Sequence, residues 1–564
     1  MYPYTYDNLH RIAKSDVARE IIELTKNTYK EKYGNKPIEA LRFSHYKLFC
    51  ECGDRAQFEG EYFERRSRLA LLQLLAIEDD GYLPELEDVL AAICDEYTWV
   101  LPAHVSLHPD ICLFAAETSM YLAESDYIFA NRLSPVIRER IKKSTLTKTV
   151  LPFEARPCVW ESRSSNWSAV CACGVGLTYL YLFPERFGAV KDRLLKTFGV
   201  YLETIGEDGY CEEGIGYWQY GFGFFSVFFD VYVSLTGERP ALLDSEKVKN
   251  LVRYASRARL DGNVYLPYAD GGTPCFISDA QVFFAIKNLF PDLFDFDIKA
   301  AKKDVSTSSR ALGARLLYGI ESFTRGATDK KSVSSETFYY EGSEVFIHRC
   351  RNYAFTAKGG HNDELHNHND LGAFQIVKNG KRLIADLGAG KYTRQYFGTP
   401  EQRYSIFVCN SLSHSVPIIG GVGQSYGKDS RARVLKRSDT HFSLDILCAY
   451  GGGADTLTVS YTVKQNGVAV KYTATGLKEE IIFRFVSDYK PRLRADGTVD
   501  IEGLLYIKSA TEITPTVSAE KYLLHMKPNG INTDGYADAW LIDYAVTGNE
   551  VDAEFFFEVG EVCS

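Results

Sequence analysis

The densest group of chemically active side chains lies within eight residues of the second half of the chain. His361-Asn-Asp-Glu-Leu-His366-Asn-His368 holds three of the 11 histidines. In a strand, the spacing of His366 and His368 places both imidazoles on one face. Two imidazoles, a carboxylate and a distant third histidine suit zinc. The carboxylate of Asp386, in an apolar run, and the imidazole of His414 are the candidates for the remaining ligands.

A second interpretation of the same residues is a zinc hydrolase centred on His366, His368 and Asp370. The pattern His-x-His-x-Asp is similar to the metal motif of metallo-β-lactamases, in which another histidine follows. The next residue here is Leu371. The surrounding sequence is also β-rich and follows about 300 mostly helical residues, which disfavours that fold.

A glycine-rich aromatic segment forms the second candidate site. It runs Asp208-Gly-Tyr-Cys-Glu-Glu213-Gly-Ile-Gly-Tyr217-Trp218-Gln-Tyr220. The Asp-Gly pair predicts a turn, and its glycines allow a ligand to approach the backbone closely. A helix is predicted to begin near Tyr217, which would place the aromatic rings at its start. The alternative is a packed aromatic turn without a ligand.

A third candidate is the polar and aromatic segment Trp160-Glu-Ser-Arg163-Ser-Ser-Asn166-Trp167. It precedes a run of small residues that predicts a closely packed helix. The Asn166 amide could donate to a carboxylate, and Arg163 and Arg156 could add positive charge. The alternative is a helix N-cap with a buried tryptophan.

The hydrophobic pattern of the sequence changes between residues 315 and 330. Before it, apolar residues recur at helical spacing, with Gly, Pro and Asp at the turns. After it, alternating β-rich runs dominate, and Asn-Gly pairs at 379–380 and 466–467 predict hairpins. The polar segment from Thr328 is the predicted linker. The sequence therefore predicts an α+β protein of two domains, a helical domain at 1–325 and an antiparallel β-sandwich at 326–564.

Composition excludes several classes of protein. The net charge of −10 disfavours non-specific nucleic-acid binding. No stretch is apolar and long enough for a membrane span or a signal peptide. The 13 cysteines are scattered and odd in number, which is typical of a reduced protein. We therefore expect a cytoplasmic protein, or a periplasmic or secreted one if a signal was removed, and a homo-oligomer is neither required nor excluded.

Taken in order, these segments resemble the heparinase II/III-like family of polysaccharide lyases. The resemblance rests on Asn166-Trp167, on Asp208-Gly through Tyr220, on His366-x-His368-x-Asp370-Leu-Gly-Ala-Phe374, and on Asp386 and His414. It covers most of the chain, and the order of the motifs is more specific than any one of them. It implies an incomplete (α/α) toroid followed by an antiparallel β-sandwich.

The resemblance also implies roles. Asn166 would neutralise the substrate carboxylate, and Tyr217 and His366 would be catalytic. His368, Asp386 and His414 would bind a zinc ion that is generally structural in the family. The residues assigned to substrate contact, on weaker grounds, are Arg163, Trp167, Glu213, Trp218, Tyr220, His361 and Tyr404.

The implied activity is β-elimination on an anionic oligo- or polysaccharide that contains uronic acid. Glycosaminoglycans such as heparin, heparan sulfate, chondroitin or hyaluronan are the leading substrate class. The alternatives are lysis of alginate or another oligouronide, zinc-dependent hydrolysis, and glycan binding without catalysis. Because Asn166 and Tyr217 come from the first half and His366 from the second, both halves are expected to contribute to the reaction.

Overall fold

The computed structural model describes residues 5–34, 36–52, 55–262, 264–271, 280–294, 315, 317, 335–511, 513–524 and 535–560. The chain divides into two compact units. The first comprises Met1–Ile205, Tyr217–Arg253 and Phe276–Asp329, and the second Gly206–Gly216, Tyr254–Cys275 and Lys330–Ser564. Two short segments of the helical half thus belong to the second unit. The boundary predicted at 325/326 and the linker predicted from Thr328 lie outside the described residues, apart from the linker's last three.

Helices form nearly all of the regular structure in the first half. They are α1 Tyr6–Ala13, α2 Asp16–Tyr33, α3 Phe43–Cys52, α4 Arg55–Glu78, α5 Leu83–Asp95, α6 Leu113–Ile128, α7 Pro135–Thr145, α8 Leu151–Ala155, α9 Asn166–Leu182, α10 Pro184–Leu202, α11 Ile215–Thr236, α12 Glu246–Ala258 and α13 Ala280–Leu289, and a short α14 follows at Pro400–Arg403. Within the described part of the chain, no helix has the length and apolar character that crossing a bilayer requires.

Small residues let α9 pack closely against its neighbours in the first unit. A Cβ atom on Gly174 would lie 2.4 Å from the Ala116 carbonyl oxygen of α6, and one on Gly176 would lie 2.5 Å from the Phe228 ring of α11. The Thr178 hydroxyl also lies 2.9 Å from that of Ser119. This packing fixes α9, whose first residue is Asn166.

Strands dominate the second half. They follow β1 Arg259–Asp261 and β2 Val264–Tyr265 and are β3 Glu336–Tyr340, β4 Val345–Arg349, β5 Ala354–Lys358, β6 His361–Asn362, β7 Phe374–Lys378, β8 Lys381–Ile384, β9 Pro417–Ile419, β10 Gly427–Arg431, β11 Arg433–Ser438, β12 His441–Asp445, β13 Thr456–Lys464, β14 Gly467–Thr475, β15 Ile481–Ser487, β16 Arg492–Leu493, β17 Val499–Ile501, β18 Leu505–Ser509, β19 Thr516–Leu523, β20 Tyr536–Val546 and β21 Val551–Val559. The predicted order, helices first and antiparallel strands second, is confirmed.

Three larger antiparallel sheets build the second unit. Their strand orders are β3-β4-β5-β7-β8, β19-β20-β15-β9 and β11-β12-β13-β14-β21-β18-β17-β16. Both predicted hairpins are present. The β7–β8 turn places Asn379 and Gly380 at φ +53° and +70°, as a type I′ turn requires. Aromatic side chains of all three sheets, including Phe374, Phe485 and Phe555, meet in one apolar core.

A buried lysine anchors the loop that joins β5 to β7 and carries the histidine cluster. Lys358 Nζ lies 2.7 Å from Asp370 Oδ1 and 3.3 Å from Glu364 Oε2, and all three side chains are nearly or completely buried. Burial disfavours the ammonium ion, but the two carboxyl groups outweigh it and hold the pKa of Lys358 above its usual range. Burial raises the pKa of Glu364 to about 7. The shorter distance makes Asp370 the principal partner of Lys358.

We expect Lys358→Met to destabilise the second unit by about 3–5 kcal/mol, because it leaves buried carboxyl groups without their cation. Chemical denaturation followed by tryptophan fluorescence and circular dichroism measures the change. The matched control is Lys381→Met, which breaks the half-exposed ion pair with Glu502 and should change stability by less than about 1 kcal/mol. Equal midpoints for the two variants would contradict the anchoring role of Lys358.

Candidate active site and metal centre

His366 has an unusual backbone conformation that its neighbours hold in place. Its φ of +58° lies in the left-handed region, which a residue with a side chain rarely adopts. Arg403 stabilises this turn, because its Nη2 donates to the carbonyl oxygens of His366 at 2.9 Å and Asn367 at 3.1 Å. The side chain of His366 remains 21% exposed. An accessible side chain on a residue whose unusual backbone conformation is held by its neighbours is typical of a functional site.

The buried carboxylate of Asp270 is the centre of the polar contacts around His366. Its Oδ2 lies 2.6 Å from His366 Nδ1 and 3.1 Å from the Tyr392 hydroxyl. Its Oδ1 lies 3.2 Å from His368 Nε2 and 3.3 Å from Arg403 Nη2, and it accepts a hydrogen bond from the Tyr396 hydroxyl. One carboxylate therefore contacts both histidines of the His-x-His pair.

The electrostatics of this group follow from its contacts. Burial alone would raise the pKa of Asp270, but the hydrogen bonds with His366 and His368 and the charge of Arg403 hold it well below its usual range. Burial and the neighbouring Asp270 raise the pKa of the Tyr396 phenol well above its usual value. Asp270 is thus an ionised acceptor, and Tyr396 keeps its proton.

A second carboxyl group faces the other ring nitrogen of His366. Glu213 Oε1 lies 3.4 Å from His366 Nε2. Two glycines bring the segments of Glu213 and Asp270 together, because a Cβ atom on Gly214, at φ +87°, would lie 2.8 Å from the Cα of Gly271. Gly214, which was expected to allow the close approach of a ligand, instead allows the close approach of the backbone at Gly271.

Aromatic rings surround the accessible side of His366. The ring of Phe397, which is 46% exposed, lies edge-on to the imidazole with centroids 6.2 Å apart and also packs on Tyr392. Tyr404 donates from its hydroxyl to Asn367 Oδ1 at 2.8 Å and stacks on Tyr426. Tyr404 therefore lies beside the histidine loop. His361 does not join the group, since its ring accepts from the Asp363 amide within its own turn.

Three buried side chains form a group that could hold a metal ion. The ligand atoms of His368, Asp386 and His414 lie within 4.8 Å of one another. His368 Nδ1, Asp386 Oδ2 and His414 Nδ1 make no hydrogen bond, although His414 Nδ1 and Asp386 Oδ2 are only 3.1 Å apart. Unsatisfied buried donors and acceptors are costly. A cation shared by the three atoms would remove that cost, so these residues fit a zinc ion.

The other ring nitrogens of this group are already oriented, as those of metal-bound histidines are. His368 Nε2 contacts Asp270, and His414 Nε2 lies 3.2 Å from the Val408 carbonyl oxygen. Asp370, the third ligand of the alternative hydrolase motif, is instead paired with Lys358. The described residues therefore favour the set His368, Asp386 and His414 over the set with Asp370.

In the first unit, Asn166 is the buried first residue of α9, and an aromatic group lies next to it. The half-buried Trp167 stacks on His108, with centroids 4.2 Å apart, and contacts His104 edge-on at 4.8 Å. Burial and nearby Arg163 lower the pKa of His108, so this imidazole is neutral near pH 7. No motif or spacing in the sequence associates the two histidines with Trp167.

The three aromatic residues that the sequence analysis singled out at the start of α11 have different environments. Tyr217 is half-buried, whereas Trp218 is completely buried and donates from Nε1 to the Leu251 carbonyl oxygen at 2.9 Å. The predicted substrate contact of Trp218 is therefore wrong, because its ring is part of the helical core. The Tyr220 hydroxyl donates to the buried carboxylate of Glu117.

The sequence missed several residues of the site. Asp270, Tyr392, Tyr396 and Arg403 had no motif of their own, and Asp270 lies 96 residues before His366. The one local signal was the sequence Tyr-Ala-Asp270-Gly-Gly, in which Ala269 has φ +60°.

No protein-family model matches the chain, and no curated protein sequence matches it. Several solved structures, by contrast, are similar to this chain. Heparan sulfate lyase HepC from Pedobacter heparinus has 13% sequence identity and a TM-score of 0.55, and the match covers 99% of this chain and 90% of that one. A heparinase III has 12% identity and a TM-score of 0.59, with coverage of 94% of this chain and 80% of that one. The chondroitin AC lyase of Streptomyces coelicolor A3, in complex with chondroitin sulphate, has 10% identity and a TM-score of 0.58, with coverage of 99% of this chain and 83% of that one. At such identities the likeness concerns the fold. The chain has the fold of heparinase-like polysaccharide lyases.

Proposed function

We propose that this protein is a polysaccharide lyase that cleaves uronic-acid-containing glycosaminoglycans by β-elimination. The observation that carries the proposal is the accessible His366 imidazole, which a buried carboxylate orients, in a chain with this fold. The similar structures are lyases named for heparan sulfate and chondroitin, which supports the substrate class. The finer architecture, an incomplete (α/α) toroid and a β-sandwich, is part of the same proposal.

The reaction needs three contributions. A base removes the proton at C5 of the uronate, the C4–O4 bond breaks as the C4=C5 bond forms, and an acid protonates the leaving O4. The Asn166 amide donates to the substrate carboxylate and stabilises the charge that develops there. Tyr217 and His366 perform the two proton transfers. Arg163, Trp167 and Tyr404 are the proposed contacts to neighbouring parts of the sugar chain.

Lyase activity predicts that uronic-acid glycans give a product with the ultraviolet absorbance of an unsaturated uronate. His366→Ala and Tyr217→Phe should each lower kcat by about 10²–10⁴-fold, because each removes a proton-transfer group. A panel of heparan sulfate, heparin, chondroitin, hyaluronan and alginate, with product masses, measures the activity. The control is His441→Ala, whose ring contacts Thr462 on the β12–β13 ladder.

The outcomes of this assay separate the alternatives. A signal on alginate alone would move the substrate class to oligouronides. Saturated products whose formation stops at once on chelation would favour a hydrolase. Glycan affinity without any turnover in zinc-supplemented protein would favour a binding protein, and equal loss in His366→Ala and His441→Ala would exclude the proposed role of His366.

We further propose that His368, Asp386 and His414 bind a structural zinc ion. The support is their burial, the proximity of their unpartnered atoms and the oriented second nitrogen of each imidazole. When bound, the ion would cross-link the histidine loop to the segments that carry Asp386 and His414. The charge of the ion would also stabilise the carboxylate of Asp386 in a buried setting.

A structural zinc ion predicts that His414→Ala loses the metal and lowers the melting temperature by several degrees, while substrate affinity changes less. The physical reason is that metal binding contributes to folding, whereas the ion does not contact the sugar. Elemental analysis, thermal denaturation and equilibrium glycan binding measure the three quantities, again with His441→Ala as control. Unchanged stability with full zinc occupancy would remove His414 from the ligand set.

A further inference from the structure

We propose that Asp270 is the positioning residue of this site, holding the His366 imidazole with its hydrogen on Nδ1 through one carboxylate oxygen and orienting His368 through the other. The kinetic part of this inference rests on the proposed lyase function, whereas the tautomer of His366 can be measured without any substrate.

The division of contacts between the two oxygens carries the argument. Oδ2 meets His366 Nδ1 at 2.6 Å and the Tyr392 hydroxyl at 3.1 Å. Oδ1 meets His368 Nε2, Arg403 Nη2 and the Tyr396 hydroxyl. A carboxylate oxygen can only accept hydrogen bonds, so each neighbour must present a hydrogen to it. The short contact at Oδ2 therefore requires the ring hydrogen of His366 to lie on Nδ1.

This tautomer has a direct chemical consequence. A neutral imidazole carries one ring hydrogen, so hydrogen on Nδ1 leaves the lone pair on Nε2. Nε2 lies 3.4 Å from Glu213 Oε1, longer than the roughly 2.7–3.2 Å of an N–H···O hydrogen bond, so this carboxyl group does not fix a hydrogen on Nε2. When Nε2 accepts a proton, Asp270 on one side and Glu213 on the other stabilise the imidazolium that forms. The arrangement prepares His366 to exchange a proton at Nε2.

The surroundings keep Asp270 from turning away. Its side chain is completely buried, and Arg403 binds both Asp270 and the His366 carbonyl oxygen. Ala269, which precedes Asp270, and His366 both have left-handed backbone conformations, at φ +60° and +58°. Rotation of the carboxylate would break the contacts of His366 and His368 together, so the two imidazoles have one shared support.

Asp270→Asn tests this role with little change of shape. The Oδ1 position is surrounded by three donors, so the amide oxygen should occupy it and the amide NH2 should face His366 Nδ1. An NH2 group donates, which would force the ring hydrogen of His366 to Nε2 and leave no lone pair there. We expect kcat to fall by about 10²–10⁴-fold with KM changed less than about threefold.

Nuclear magnetic resonance of the zinc-supplemented, ¹⁵N-histidine-labelled full chain reads the tautomer directly. The His366 signals are assigned by their loss in His366→Gln. We expect hydrogen on Nδ1 in the wild type and on Nε2 in Asp270→Asn. The matched control is Asp500→Asn, which alters a carboxylate paired with Arg494 and should leave both the tautomer and kcat unchanged.

Each outcome decides the inference. A wild-type spectrum without hydrogen on Nδ1 would overturn it, and this measurement needs no variant to fold. Turnover that survives in folded Asp270→Asn within about threefold of wild type would also overturn it while leaving lyase function intact. The expected tautomers without turnover on any glycan would leave the positioning role standing and refute the proposed lyase function.

Discussion

A carboxylate removed from water must be surrounded by donors, and at Asp270 that requirement organises the whole histidine site. The donors are distant from Asp270 in sequence. They come from three segments, which hold His366 and His368, Tyr392 and Tyr396, and Arg403. Arg403 adds a positive charge beside Asp270 and also binds the backbone of the histidine loop. Since the cost of burying an unpaired carboxylate is large, these segments cannot separate without exposing or neutralising it.

Buried ion pairs hold the histidine loop both at its ends and in its middle. Lys358 precedes the loop and binds Asp370 near its end, while Asp270 and Arg403 hold its middle. Such pairs add less to stability than an apolar core of the same volume, but they tolerate little variation in geometry. A loop that presents one accessible imidazole, His366, and one buried imidazole, His368, gains more from fixed geometry than from additional stability.

The sequence predicted best those features that depend on residues adjacent in the chain. The Asn-Gly turns predicted hairpins that the structure shows, because a turn depends on a few adjacent residues. His368, Asp386 and His414, the predicted zinc ligands, lie in one buried group, and metal binding by them stays a prediction. The sequence failed where a role depends on distant contacts. Asp270 lies in the site because Gly214 and Gly271 allow two backbone segments to approach closely. No periodicity in the sequence predicts such a contact. The environment of Trp218 also depends on distant residues, since its ring is completely buried and its Nε1 donates to the Leu251 carbonyl oxygen.

The shared carboxylate also bears on what a structural metal can mean in this fold. His368 would bind the proposed zinc through Nδ1, and its Nε2 contacts the carboxylate that orients His366. An ion that does not contact the sugar would therefore still restrict the His366 imidazole, because a rotation of His368 moves a hydrogen-bond partner of Asp270. The proposed catalytic and structural roles would differ in their contacts with substrate, but one hydrogen-bond network links the residues that carry them. The His366 ring and the His368 ring share the Asp270 carboxylate. The orientation of His366 therefore depends on how firmly His368 is held.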